Sequence, residues 1–175
     1  MSEVRLVRVP TEADRLWCKQ CALGTMGRDS DKAPSTEWMH RILAARHSPI
    51  RELWFGFVLT VPYWVSVHLV RHHVGFHAYV QSQRNDRQSN YDRTKAPQDA
   101  PVTMRISLNA EALMTLANKR LCNKASPETR EVVREMCRQV EAQCPEFAGL
   151  LVPMCEYGRC HEMQPCGGAV SGDAL

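Results

Sequence analysis

"LVRHHVGFHAYVQSQRNDR", residues 69–87, sets Arg71, His72, His73 and His77 close together directly after an apolar run. Ser82, Arg84 and Arg87 follow about one strand-length further on. Arginine offers a planar fork that binds phosphate bidentately and keeps its charge at every relevant pH. Histidine adds ring donors and titrates near neutrality. A cluster of both is a grip for the phosphate groups of a nucleotide or a cofactor. The competing reading is a solvated basic surface, with Val70, Val74 and Phe76 packing inward and alternate residues facing water. The segment alone favours the solvated surface; the order of elements around it decides.

With 175 residues and 44% hydrophobic content, the chain can build one real core. The longest apolar runs fall well short of a membrane-spanning helix. "MSEVRLVRVPTEADR" lacks the apolar core and small-residue cleavage site of a secretory leader, so a cytoplasmic protein is expected. Eight cysteines then read as free thiols, metal ligands or redox groups rather than as a disulfide framework. A net charge of +3, with both signs interleaved, argues against a nucleic-acid partner and for a local anion site.

Outward from residues 69–87 the chain reads as alternating strands and helices. Residues 3–9, "EVRLVRV", read as a short strand ended by Pro10. Thr11 caps a helix that Gly24 and Gly27 close. Ser35 or Thr36 caps a second, with Trp38, Ile42 and Leu43 on one face. "HSPIRELWFGFVLTVP" is strand through 53–60, and Pro62 breaks it. "YWVSVHLVRHH" fits helix or strand, and residues 85–102 read as a polar surface loop. A helix follows from Ser107 or Asn109, with Leu113, Leu116, Ala117 and Arg120 at helical spacing. The next opens on Ser126 and Pro127, buries Val132, Val133, Met136, Val140 and Cys144, and stops at Pro145. No internal repeat is visible. Residues 1–152 form the expected domain and 153–175 a Cys-rich tail.

Taken in order, residues 47–130 resemble the flavin-dependent thymidylate synthases (the ThyX family). "LVRHH", an eight-residue gap and "SQR" match that family's Arg-His-Arg motif and the Ser-x-Arg after it, with His73 replacing the second arginine. "HSPIRE" resembles the upstream element, with Glu52 matched and Leu53 in place of a histidine. "NA" at 109–110 and "KRL" at 119–121 resemble the downstream elements, and "ASPETRE" at 125–131 stands where the family has Ala-Gln-x-Glu-Ile-Arg. Several elements in order are more specific than any one of them.

The resemblance implies an α+β fold, one compact domain with a mixed sheet flanked by helices, assembling as a homotetramer with FAD between subunits. It implies dUMP as substrate, methylenetetrahydrofolate as one-carbon donor, NADPH as reductant and thymidylate synthase-like methyltransferase activity. Arg71, His72, His73, Ser48 and Asn109 fall on its cofactor-binding positions. Gln81, Ser82, Gln83, Arg84, Arg120 and Arg130 fall on substrate positions, with Arg130 and Ser82 closest to the chemistry. Two departures stand out: Glu111 occupies the place of a phosphate-binding arginine, and Asn85 that of a tyrosine. A reversed charge weakens an anion contact, so a hydroxymethylase, or a flavin- and nucleotide-binding protein without turnover, is the alternative.

In the tail, Cys155, Cys160, His161 and Cys166 offer three soft ligands and an imidazole, enough for a tetrahedral zinc site, or alternatively an iron–sulfur site, that Cys18 or Cys21 could complete. The spacings are looser than in common zinc motifs, and free thiols are the competing reading. A small metal-binding module unrelated to nucleotides is the third expectation. Cys122, Cys137 and Cys144 lie on apolar helix faces and read as core.

Overall fold

The computed structural model describes residues 2–84, 86–87 and 92–166. Asn85 and the last part of the expected tail, 167–175, lie outside the described residues. The elements run β1 (Glu3–Arg8), α1 (Glu12–Gly24), α2 (Thr36–Ala44), a 3-10 turn (Ser48–Glu52), β2 (Trp54–Pro62), α3 (Tyr63–Leu69) and β3 (Phe76–Val80). Then come β4 (Pro101–Asn109), α4 (Ala110–Arg120), α5 (Pro127–Gln143), a 3-10 turn (Pro145–Phe147) and α6 (Met154–Tyr157).

The four strands form one sheet in the order β1-β2-β4-β3. Every pairing is antiparallel, where a mixed sheet was expected. Register explains the core. Phe55, Phe57, Leu59 and Val61 of β2 stand opposite Leu108, Ile106, Met104 and Val102 of β4, and all eight are buried. A period of two puts them on one face, and helices cover that face. The buried stripe of α5 (Val132, Val133, Met136, Val140) belongs to the same core, as does Phe147, which meets Phe55 edge-on at 5.3 Å. This α+β arrangement is the fold class the sequence resemblance implies.

Local signals set the helix starts. Thr11 and Asp14 form a capping box on α1, and Ser35 and Ser126 accept from backbone N–H groups at the starts of α2 and α5. Residues 63–69, ambiguous by pattern, are helical, with Val65 and Leu69 buried. Phe76 packs inward as read, but Val70 and Val74 are exposed. The chain leaves α3 through a turn, so strand alternation begins only at Phe76. Gly75 makes that re-entry possible. Its φ is +66°, and a Cβ there would lie 2.5 Å from Asn109 Nδ2.

β4 runs into α4 without a loop. Asn109 ends the strand and caps the helix, its Oδ1 accepting from Ala112 N at 2.9 Å and its own N–H donating to Gly75 O at 2.9 Å. No helix among the described residues is long and apolar enough to cross a membrane.

Candidate functional site: a cationic cavity at the ends of α3 and α4

The turn after α3 delivers Arg71, His72 and His73 to a cavity of about 450 Å³, shared with Arg46, Arg51, Glu111 and Thr115. Three guanidinium groups and two imidazoles thus face one carboxylate. His72 is held from the far side. Arg120, the last residue of α4, donates through Nε to His72 Nε2 at 3.0 Å and through Nη2 to the carbonyl of His68 at 2.9 Å. Since Nε2 accepts, the neutral ring carries its proton on Nδ1. Burial, and then the Arg120 charge, push the His72 pKa from about 6.5 down to about 4, so the ring is neutral at pH 7. Burial and Arg71 lower the Arg120 pKa in turn. His68, also lowered by burial and by Arg120, bonds through Nδ1 to Thr129 Oγ1 at 3.1 Å, which takes a bond from the α5 cap Ser126 at 2.9 Å. The motif after α3 is thereby tied to the end of α4 and the start of α5.

Arg46, two residues past the end of α2, has φ at 49°, a left-handed conformation uncommon for a residue with a side chain. Its guanidinium lies 4.4 Å from the Tyr157 ring centroid and donates to Asn118 Oδ1, while its Nε is buried without a partner. Arg51 is bound by Glu111 through two bonds, Nε to Oε2 at 2.6 Å and Nη2 to Oε1 at 3.2 Å. Neither arginine was singled out in the sequence. Arg51 sits inside the quoted "HSPIRE", one residue before the Glu52 that matched, and the presence of Glu111 was the signal that could have found it.

Of the expected cofactor residues, Arg71, His72 and His73 line the cavity together. Ser48 is exposed at the start of its 3-10 turn. Asn109 is buried and committed to the α4 cap, so its side chain serves the fold. Among the expected substrate residues, Arg120 joins His72. Arg130 donates to Asn123 Oδ1 at 2.9 Å near the start of α5. Gln81 prolongs the β3–β4 ladder, its N–H and Oε1 engaging the Thr103 backbone at 2.8 and 3.1 Å. Ser82 Oγ accepts from Arg84 N at 3.2 Å, and the Arg84 guanidinium holds Asp86 at 2.8 and 2.7 Å. Arg84, Ser82 and Gln83 do not line the Arg71–His73 cavity.

The expected metal ligands Cys155, Cys160, His161 and Cys166 share the wall of a second cavity, about 550 Å³, with Cys122 and Cys137. Among the described residues, however, no three or more His, Cys, Asp or Glu side chains converge closely enough to hold a metal ion. Cys155 sits on the short α6, whereas the other three follow Gly158 along the cavity wall. Cys137 and Cys144 are buried core thiols, as expected, and burial raises their pKa to about 12 and about 11. Cys122 is only partly buried and lines the cavity instead.

A family model described as thymidylate synthase complementing protein matches residues 89–146, which span β4, α4 and α5. No curated protein sequence matches the chain. Among solved structures, a UMP/dUMP methylase, PolB, from Streptomyces cacaoi, bound with 5-Br dUMP, is similar at a TM-score of 0.66 and 14% identity. The similarity covers 83% of this chain and 92% of that one. The family model thus matches part of the chain, residues 89–146, and the solved structure shares its fold.

Proposed function

We propose that the chain binds a flavin and a pyrimidine nucleoside monophosphate and transfers a one-carbon unit from methylenetetrahydrofolate to C5 of dUMP. The observation that carries this reading is the bond between His72 and Arg120. It unites two sequence elements, 48 residues apart, that the resemblance assigns to cofactor and substrate. The cation-rich cavity beside them suits the phosphates of a dinucleotide, since guanidinium forks pair with phosphate oxygens. A flavin bound there would supply hydride, with NADPH as its reductant, so that no cysteine need attack the pyrimidine.

The remaining work belongs to the side chains. Neutral His72 accepts from Arg120 and fixes the direction of its guanidinium. Arg120 and Arg84 then neutralise nucleotide phosphate. Arg84 must first release Asp86, an exposed pair worth about 0–1 kcal/mol. Arg130, near the α5 N-terminus, donates to a ring oxygen and supports an electron-rich uracil, and Ser82 orients the same ligand. Arg84 and Ser82 stand apart from the cavity within one chain, and a homotetramer in which neighbouring subunits complete each site would bring them to it.

A second reading, binding without turnover, is favoured by Leu53, which stands where the resemblance has a histidine and is wholly buried. One experiment separates the two. The protein is reconstituted with FAD and given NADPH, methylenetetrahydrofolate and dUMP tritiated at C5. Release of tritium with formation of a C5-substituted product supports the enzyme; nucleotide binding without release supports the binder. Absence of flavin absorbance after reconstitution, together with no dUMP binding by calorimetry, overturns both.

A further inference from the structure

At position 111 the resemblance places a phosphate-binding arginine, and the chain has a glutamate. The structure shows what stands against it. Glu111, in the first turn of α4, is gripped bidentately by Arg51, which lies 60 residues earlier in the 3-10 turn before β2. The carboxylate that would repel an anion is therefore already neutralised, and a guanidinium sits within hydrogen-bond distance of it in the same cavity. Two of the five guanidinium N–H donors are used by Glu111, leaving the others for a ligand. Arg51 is also within reach, since its side chain is 57% exposed. Arg51 is largely exposed and Glu111 partly so, and a surface pair of this kind contributes on the order of 1 kcal/mol to stability. Around it, Arg46 and Arg71 add cationic charge, and neither forms an ion pair among the described residues.

We propose that Arg51, braced by Glu111, is an anion-binding residue of this cavity, acting with Arg71 and Arg46 on the phosphate groups of a nucleotide ligand. The proposal rests on the nucleotide reading above and adds a residue to it. Arg51 supplies a cation to the cavity from the 3-10 turn before β2, and Glu111 in the first turn of α4 holds it in place.

The test titrates the full chain with two probes, inorganic pyrophosphate and FAD, by calorimetry. Wild type is compared with Arg51→Ala and with the double variant Arg51→Ala/Glu111→Ala. Both variants should stay folded and melt within a few degrees of wild type, because the pair lies at the surface and contributes on the order of 1 kcal/mol. Arg51→Ala should weaken both probes at least tenfold, since it removes a ligand and leaves Glu111 facing the anion. The double variant should remain at least fivefold weaker than wild type. If it binds like wild type, Arg51 only cancels Glu111 and the proposal is overturned; wild-type binding by Arg51→Ala overturns it as well. Pyrophosphate binding that depends on Arg51, without any FAD binding, sustains the proposal and removes the flavin. FAD binding indifferent to Arg51 does the reverse. A wild-type protein that binds neither probe ends both.

Discussion

Replacing His72 with glutamine should flatten the acid sensitivity of the fold. In the native chain the imidazole is pushed from about 6.5 to about 4, first by burial and then by Arg120. Its folded value lies below its unfolded one. Between these values the unfolded chain takes up a proton that the folded chain refuses, so stability rises with pH across that window. The contribution is complete above about 6.5 and is lost as pH falls to about 4. At ~1.4 kcal/mol per pH unit the full displacement is at most about 3.5 kcal/mol. His72 is only partly buried, and screening by solvent reduces this to roughly 1–2 kcal/mol. Glutamine keeps an acceptor for Arg120 but has no proton to gain. Urea unfolding of both proteins at pH 7.5 and pH 4.5 provides the comparison. Wild type should lose roughly 1–2 kcal/mol more than His72→Gln, a difference of about 3–6 °C in melting temperature for a chain of this size. His68 and the carboxylates titrate in both proteins and cancel. Equal losses would show that His72 is not held neutral by its surroundings.

Gly75→Ala should cost roughly 2–4 kcal/mol in urea denaturation, because φ is +66° and the new Cβ falls 2.5 Å from the Asn109 amide that caps α4; a loss below about 0.5 kcal/mol would remove the Gly75–Asn109 contact from the argument. Arg15→Met leaves the Glu146 carboxylate, 5% exposed, without its 2.7 Å partner, and should cost about 3 kcal/mol, largely recovered by adding Glu146→Gln; no recovery would mean that the arginine acts through packing alone. Arg84→Ala should weaken dUMP by roughly 2–5 kcal/mol with flavin content unchanged, and an unaltered dissociation constant takes Arg84 out of the site. Elemental analysis should find neither zinc nor iron near one per chain, and a chelator should leave the melting temperature in place; a stoichiometric metal would show that Cys155, Cys160 and His161 rearrange to bind it.

Elements with local signals were legible in the sequence. α5 carries its start in Ser126 and Pro127 and its buried face in a 3.6-residue period, so nothing distant is needed to recognise it. β4 carries no such mark. "PVTMRISLN" follows a polar loop and leads straight into α4, and its strand character comes from pairing β2 on one side and β3 on the other. The site divides in the same way. Arg71, His72 and His73 are contiguous and could be seen at once. Arg51 acquires meaning only when a turn before β2 meets the first turn of α4, and Arg46 only because a left-handed residue turns the chain at the end of α2. Asn109 was placed in the site, but its side chain has both a cap to make and a glycine to pack against.

The placement of β4 also orders events in time. It is the last strand of the sheet to be synthesised and yet it lies between β2 and β3. As the chain emerges from the ribosome, β1 and β2 can pair at once, but the other edge of β2 has no partner until residues 101–109 have appeared. β3 has no partner at all before then. During the synthesis of residues 63–100, at ~5–20 residues per second, a nascent sheet with Phe55, Phe57 and Leu59 on its inner face carries an open edge. That interval is when the chain is most exposed to pairing with a neighbour, and it ends with one event: the arrival of β4 closes both gaps and starts α4 in the same stroke.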